Sequence, residues 1–397
     1  MKKVAALLIS FLLFIPFASI DGGNVASNMN TNNTLYVGGS GPNNYTKIQD
    51  AINDASNGDT IFVYSGIYPE HVRIYKPINL IGENENTTII DGMNETDVTV
   101  FSITANHVNF SHFTIRNISG GKWTFGIKIE DGNHIEISNC IIKECDGIGI
   151  FSTDNISIEN CNISQNYWGL DIRGGNNIEI GNCTISYNIG KKDDNGWLIG
   201  GDGIFAEGVS EGPISNIRIT NCSIYHNGDG VEVFGASNVF ISNCDINTYN
   251  FSGINIGPSI FNCTILDCNI SHGYVGIDMG SVDAKIGNCS ITGNFWGIRM
   301  GSTSKDAKVF IRYNNIENNS YGIYVCTGIS NSYIDYNNIY NNGIGMKAEF
   351  SVCNARNNYW GSPLGPSHLF GLRGDRIQTT LAKVFYFPWL KEECKIG

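Results

Sequence analysis

The sequence has little charge, little proline and, beyond its first twenty residues, no long apolar run. Charged residues make up 16% of the 397 residues, and the formal net charge is −12. This acidic balance argues against a nucleic-acid partner, because nucleic acids select basic surfaces. With nine prolines the chain is neither collagen-like nor a proline-rich linker. Its 42% hydrophobic content excludes general disorder.

The one long apolar run lies at the N-terminus. Two lysines follow Met1, an apolar stretch runs from Val4 to Phe17, and small residues come next. This pattern predicts a secretory signal peptide, since the apolar core is too short to span a membrane. We therefore expect residues 1–27 to hold the signal peptide and the start of a flexible lead-in. The mature protein is expected to be secreted or held at the cell envelope or surface, without a membrane span.

The body of the chain repeats one pattern. An Asn-Cys or Asp-Cys phrase recurs at intervals of 21 to 24 residues, with one interval of 39, and a glycine followed by alternating apolar residues runs in step with it. The cysteines of this phrase are Cys140, Cys161, Cys183, Cys222, Cys244, Cys268 and Cys289. Alternation of period two, as in residues 178–180, predicts strands with one buried face.

Three short strands per period of about 22 residues define the predicted fold. It is an all-β, single-stranded, right-handed parallel β-helix of about 11–12 coils over residues 34–354. In such a coil the cysteines stack into an inward ladder. We predict free thiols there, because parallel Cβ vectors suit a disulfide poorly. An amphipathic pattern over 46–56 predicts an N-terminal capping helix, and residues 355–397, which break the repeat, are predicted to cap the other end.

Several segments resemble a known family. Residues 47–52, 58–63 and 78–82 resemble the opening of pectin-lyase-like β-helix proteins, and most closely the NosD-type proteins of archaeal secreted and surface type. The later repeats resemble the carbohydrate-binding and sugar-hydrolase (CASH) repeats, and residues 357–366 resemble the ending of many such proteins. The resemblance implies a β-helix that binds or processes polysaccharide. The family name also suggests copper.

The sequence lacks the motifs that such enzymes carry. Of the polygalacturonase-like motifs only Asp193-Asp194 is present, and it lies in an insertion; the later pectin methylesterase motifs and the Asp-Pro-His-Asp run of alginate epimerases are missing. Enzymatic activity therefore stays open, and if there is any, the resemblance implies a polysaccharide hydrolase or lyase. Seven scattered histidines and six methionines disfavour a copper site.

Outward residues of the glycine-led strands form the candidate site. They are Lys128, Gly149, Asp171, Phe205, Glu232, Asn255, Asp278, Arg299 and Tyr324. Asp171 and Glu232 lie two coils apart, as do Glu232 and Asp278, which gives ~9.6 Å at the backbone. Carboxylates of an inverting glycosidase stand ~6.5–9.5 Å apart. These three are the catalytic candidates, and the alternative is a solvated face with alternating charges.

Other residues near this row are predicted to contact sugar or metal. The substrate-binding candidates are Lys128, Asn255, Arg299, Tyr324, Trp168 and Trp296. The two tryptophans stand just before a turn glycine, where they either stack on sugar rings or fill a corner of the coil. The insertion at 191–202 holds Asp193, Asp194 and Asp202, whose carboxylates are ligands of the kind that Ca²⁺ takes.

Three functions follow from these observations. The first is a protein that binds, and in one version processes, polysaccharide or a surface glycan along the outer strand face. The second is a non-catalytic structural or adhesion module of the cell surface, favoured by the missing enzyme motifs. The third is a copper-accessory protein, suggested by the family name alone.

Overall fold

The computed structural model describes residues 32–396 except 97, 119–123, 193–197, 209–211, 249–250, 281, 302–307, 327–331 and 368–373. The predicted signal peptide, Asp193 and Asp194 lie outside the described residues. Across the part of the chain that is described, no helix is long and apolar enough to cross a membrane.

Three parallel sheets wind around one apolar core. We name them A, B and C in the order in which the chain visits them in each coil. Sheet A consists of Thr34–Val37, Thr60–Val63, Asn79–Gly82, Val108–Ser111, Asn133–Ser138, Asp154–Glu159, Gly175–Gly181, Ile214–Thr220, Ala236–Ser242, Ile260–Leu266, Val282–Gly287, Val309–Arg312, Ser332–Asp335, Val352–Asn354 and Lys383–Phe385. Sheet B consists of Gly66–Tyr68, Thr88–Asp91, Thr114–Arg116, Ile141–Lys143, Asn162–Ser164, Thr184–Ser186, Ser223–Tyr225, Asp245–Asn247, Asn269–Ser271, Ser290–Thr292, Asn315–Glu317 and Asn338–Tyr340. Sheet C consists of Val72–Ile74, Phe101–Ile103, Ile127–Glu130, Ile148–Phe151, Leu170–Arg173, Ile204–Glu207, Val231–Phe234, Ser252–Ile256, Val275–Met279, Trp296–Met300, Tyr321–Val325, Ile344–Glu349, Gly374–Thr380 and Pro366–Ser367.

The prediction of a right-handed parallel β-helix is confirmed, with about 13 turns. Strands related by one coil pair in parallel, so equivalent residues of the repeat lie side by side ~4.8 Å apart. The inward positions are mostly isoleucine, which packs well on a pleated surface because of its branched side chain. A short antiparallel pair, Lys191–Lys192 and Leu198–Ile199, belongs to the insertion.

The N-terminal helix is shorter than the predicted 46–56. It spans Ile48–Asp54, and its apolar side is buried against the first coils. The Glu70 carboxylate accepts the backbone N–H groups of Ile48 at 2.9 Å and Gln49 at 3.2 Å. A negative charge at these two unpaired donors stabilises the helix start, so Glu70 replaces the missing N-cap side chain.

The thiol ladder forms as predicted. The seven cysteines of the repeated phrase are buried, and all twelve cysteines of the chain are free. In the three coils that follow, Asn314, Asn337 and Asn358 take the same inward place, and each amide bonds to backbone carbonyls inside the coil. The buried thiol therefore behaves as a small apolar side chain that a fully hydrogen-bonded amide can replace.

We expect the ladder thiols to resist alkylation while the protein is folded. The hydrogen bond with Cys140, together with burial, raises the pKa of the ladder thiol Cys161. Burial raises the pKa of Cys145 and Cys263, which lie outside the repeated phrase, to about 12. Thiolate is the reactive form. Brief treatment with iodoacetamide should label the two half-buried cysteines, Cys326 and Cys394, and all twelve after unfolding in denaturant. Mass spectrometry of tryptic peptides gives the count. Native labelling of Cys183 or Cys222 would show that the ladder opens.

The C-terminal extension continues the coil as well as closing it. Residues 374–380 add a strand to sheet C, and 383–385 add one to sheet A. Trp360 is completely buried, whereas Phe387 is 69% exposed and does not anchor the segment. The backbone N–H of Asn294 donates to the Asn319 side-chain oxygen, and that of Asn319 donates to the Asn342 side-chain oxygen. Asp375 accepts the backbone and side-chain N–H groups of Asn342 and so ends this row of asparagines.

Candidate functional site

The predicted outward row exists on sheet C. Asp171 pairs with Phe205, Phe205 with Glu232, Glu232 with Asn255, Asn255 with Asp278, Asp278 with Arg299, and Arg299 with Tyr324. A second row, which we call the turn row, lies one residue before the glycine that opens each of these strands, in the preceding turn or at the first residue of the strand. Its members include Trp168, Asp202, Asp229, Ser252, Val275, Trp296 and Tyr321.

Three carboxyl groups meet where the two rows adjoin. Asp202 and Asp229 stand at the turn in adjacent coils, and Glu232 is the second residue of the strand that follows Asp229. One oxygen of each lies within 4.8 Å of the other two, and all three residues are half-buried. We call this group the acidic triad.

Backbone amides and one side chain hold the triad in place. The N–H of Asp229 donates to Asp202 Oδ1 at 3.1 Å, and the N–H of Ser252 donates to Asp229 Oδ1 at 2.6 Å. The Asn255 amide donates to Glu232 Oε1 at 2.7 Å. Among the described residues no lysine or arginine makes a salt bridge with the triad.

The triad binds protons near neutral pH. Burial, reinforced by the charge of Asp229, raises the pKa of Asp202 to about 7. Burial, followed by the charges of Asp202 and Asp229, raises the pKa of Glu232 to about 8. The pKa of Asp229 is also raised, chiefly by burial. A carboxylic acid and a carboxylate therefore stand side by side at neutral pH, as acid–base chemistry requires.

These raised pKa values predict that stability falls as pH rises. The folded protein holds protons that the unfolded chain has released above pH ~4.5, so this stabilisation is lost as pH rises through about 8. Glu232→Gln should raise Tm at pH 9 by about 2–5 °C and leave it unchanged at pH 4. Calorimetry at both pH values measures this. Glu136→Gln, which alters an exposed carboxylate of sheet A, is the control and should shift Tm at neither pH.

Asp171 does not fit its predicted catalytic role. It lies in the row, but its side chain is 1% exposed and accepts a hydrogen bond from Arg173 Nε at 2.6 Å. Arg173 also pairs with Glu207, and its guanidinium stacks 4.4 Å from the ring centroid of Phe205. These neighbours cover the Asp171 carboxylate, which argues against contact with a ligand on the outer face of the sheet.

Asp278 and Arg299 form an ion pair outside the triad. Arg299 Nε donates to Asp278 Oδ1 at 2.8 Å, and the second guanidinium nitrogen contacts Oδ2. The Asp278 carboxylate is held by this guanidinium, which argues against its predicted role in catalysis.

Aromatic rings lie at both ends of the turn row. Trp296 stacks on Tyr321 and Tyr324, with ring centroids 4.1 and 4.5 Å apart, and all three rings are half-buried. We call these three the aromatic platform. At the other end, half-buried Trp168 lies 5.4 Å from Phe205 and one coil from Asp202. The triad therefore lies between two half-buried tryptophans, and aromatic rings suit the apolar faces of sugar rings.

Sequence comparison decides the family. The family of sequences described as right-handed β-helix region matches this chain at residues 98–256 and 195–307. Together these residues exceed half of the chain. The chain belongs to the right-handed β-helix family. A search of curated proteins finds no match to this β-helix protein.

Solved structures share the β-helix fold. The A-module of the mannuronan C-5 epimerase of Azotobacter vinelandii is 13% identical with a TM-score of 0.50, over 87% of this chain and 94% of that one. The Agl-KA catalytic domain is 14% identical with a TM-score of 0.51, over 83% of this chain and 62% of that one. At these identities the likeness concerns the fold.

The predicted metal site is only partly described. Asp193 and Asp194 lie outside the described residues. The Asp202 carboxylate lies beside those of Asp229 and Glu232. Within the described ranges, the triad is the one group of three or more residues that could hold a metal ion. Its ligands are oxygens, which suit Ca²⁺ rather than copper.

Sequence reasoning missed Asp229. A usable signal was present, because Asp202-Gly203 and Asp229-Gly230 repeat the same dipeptide at the same position of two consecutive periods. Equivalent positions of a β-helix lie one strand spacing apart, so the repetition brings two carboxylates together.

Proposed function

We propose that the protein binds polysaccharide along sheet C and is secreted or held at the cell surface. The observation that carries this is the turn row, in which Trp168 and Trp296 lie on either side of the acidic triad. They are five strand spacings apart, or ~24 Å, which suits a chain of several sugar rings rather than a single one. The resemblance to NosD-type and CASH repeats supports the same class of ligand, and the predicted signal peptide supports export.

Affinity electrophoresis tests this proposal directly. The mature protein, residues 28–397, is run through native gels that contain one polysaccharide each. We expect at least one polymer to retard it, and Trp296→Ala to abolish most of that retardation. Mobility unchanged in every gel would contradict the proposal and favour a structural surface module. N-terminal sequencing of protein recovered from the culture medium of an exporting host tests the signal peptide.

The triad favours a second function, cleavage of the bound polysaccharide. Glu232, protonated up to about pH 8, is placed to donate a proton to a glycosidic oxygen, while Asp202 or Asp229 acts as base or nucleophile. Oxygens within 4.8 Å of one another resemble the ~5–5.5 Å carboxyl spacing of retaining enzymes more than the wider inverting one. The proposed cleavage is therefore a retaining hydrolysis, in contrast to the inverting spacing of Asp171 and Glu232.

The stereochemistry of the product tests this assignment. NMR of the first products should show the anomer of the starting linkage, formed before mutarotation. Release of the opposite anomer would indicate an inverting mechanism, which needs more widely spaced carboxylates. The second carboxylate would then lie outside the triad. Unsaturated products would indicate elimination, and no product from any polymer that binds would leave only the binding function.

A further inference from the structure

In the strands from Ile127–Glu130 to Ile344–Glu349, whose outward positions are all described, the four cations on the outward face of sheet C are paired. The pairs are Lys128 with Glu130 at 2.8 Å, Arg173 with Asp171 at 2.6 Å and Glu207 at 2.5 Å, Arg299 with Asp278 at 2.8 Å, and Lys347 with Glu349 at 3.0 Å. Arg73 and Arg376, in strands nearer the two ends of the sheet, are exposed and make no salt bridge with a described residue.

Between these end strands, the acidic and basic side chains of this face that lack a salt bridge among the described residues are all carboxyl groups. Asp202, Asp229 and Glu232 have backbone and amide donors but no salt bridge in the described part of the chain. Glu349 also accepts the hydroxyl hydrogen of Tyr324 at 2.6 Å. At this end of the face Lys347, Glu349 and Tyr324 are therefore bonded to one another. A polymer laid along the described strands from Ile127–Glu130 to Ile344–Glu349 therefore meets more carboxyl groups than cations, and each of those cations is already in an ion pair.

We propose that the polysaccharide bound along sheet C is uncharged. This inference rests on the proposed binding function and specifies its ligand. A uronate carboxylate would have to displace Asp278 from Arg299 or Glu349 from Lys347, or lie near the triad, and each costs free energy through repulsion or loss of an ion pair. A neutral sugar keeps every pair intact, stacks on the aromatic platform and donates its hydroxyls to carboxylate oxygens.

The ligand class is tested with a panel of polymers. Wild-type protein is run in gels that contain a neutral β-glucan, an α-glucan, xylan, polygalacturonate, alginate or chitosan, each with EDTA and with Ca²⁺. We expect retardation by at least one neutral polymer in both conditions and none by the two polyuronates. Retention by a polyuronate in EDTA overturns the inference. Retention only with Ca²⁺ also overturns it, and indicates a bridging ion on the triad. Preference for chitosan overturns it in favour of a cationic ligand.

The panel separates this inference from the function on which it rests. If polyuronate binds and Trp296→Ala abolishes that binding, sheet C binds polysaccharide and only the ligand class is wrong. If no polymer binds, both the proposed binding function and the inference that its ligand is uncharged are wrong.

Freeing the paired cations gives an independent test. The double variant Asp278→Asn, Glu349→Gln leaves Arg299 and Lys347 without carboxylate partners. We expect it to bind polygalacturonate about tenfold or more tighter than wild type. The control Asp335→Asn, Glu136→Gln removes the same charge from sheet A, where Asp335 pairs with Arg312. An equal gain in polygalacturonate affinity in both double variants would show that ion pairing on sheet C does not select the ligand. No gain in the variant Asp278→Asn, Glu349→Gln would show the same.

Discussion

Glu232→Gln is expected to lower the rate of polysaccharide cleavage by about 10²–10⁴-fold and to leave binding unchanged. Glutamine preserves the oxygen that accepts the Asn255 amide, so the side chain keeps its place. It cannot donate the proton that a leaving glycosidic oxygen needs. Initial rates on the polymer that binds best, together with its retardation in affinity gels, separate the two effects.

The pH profile and a matched variant complete this test. The wild-type rate should fall above about pH 8, where Glu232 loses its proton. Asp278→Asn, which alters a carboxylate of the same row outside the triad, should change the rate by less than about tenfold. If Asp278→Asn abolished cleavage and Glu232→Gln did not, the triad would be structural and the reacting carboxylates would lie elsewhere in the row.

The fold and the row were predictable because a β-helix is nearly one-dimensional. Each coil contacts its neighbours, so the spacing of Gly203, Gly230 and Gly253 directly gives which residues lie side by side. Alternation then decides which side chains point outward. The same logic predicted the thiol ladder, since Cys183 and Cys222 occupy one inward position despite the insertion between them.

The site was predicted less well because register does not determine which side chains are covered. Asp171 faces outward, as its place in the alternation requires, yet Arg173, two residues further along the strand, folds over it. The turn residue Asp229 lies outside the alternating strand, where periodicity carries no information. Only the repetition of its dipeptide in adjacent coils marked it.

Trp296→Ala is expected to weaken polysaccharide binding by about tenfold or more, whether or not the triad cleaves the polymer. Its indole has one face on Tyr321 and Tyr324, so its removal also frees these two rings from their fixed arrangement. Tenfold corresponds to about 1.4 kcal/mol, the scale of a single aromatic contact. Titration calorimetry with an oligosaccharide of the bound polymer gives the dissociation constant.

Two variants make the Trp296 result specific. Trp296→Phe keeps a ring in the platform and should recover part of the affinity. Phe310→Ala removes a ring from sheet A, where Phe310 stacks on Tyr333 at 5.2 Å in a comparable pair, and should leave the dissociation constant unchanged. If Phe310→Ala weakened binding as much as Trp296→Ala, the polymer would lie on sheet A or on both faces, and the triad would then be a feature of the turn rather than the centre of a sugar site.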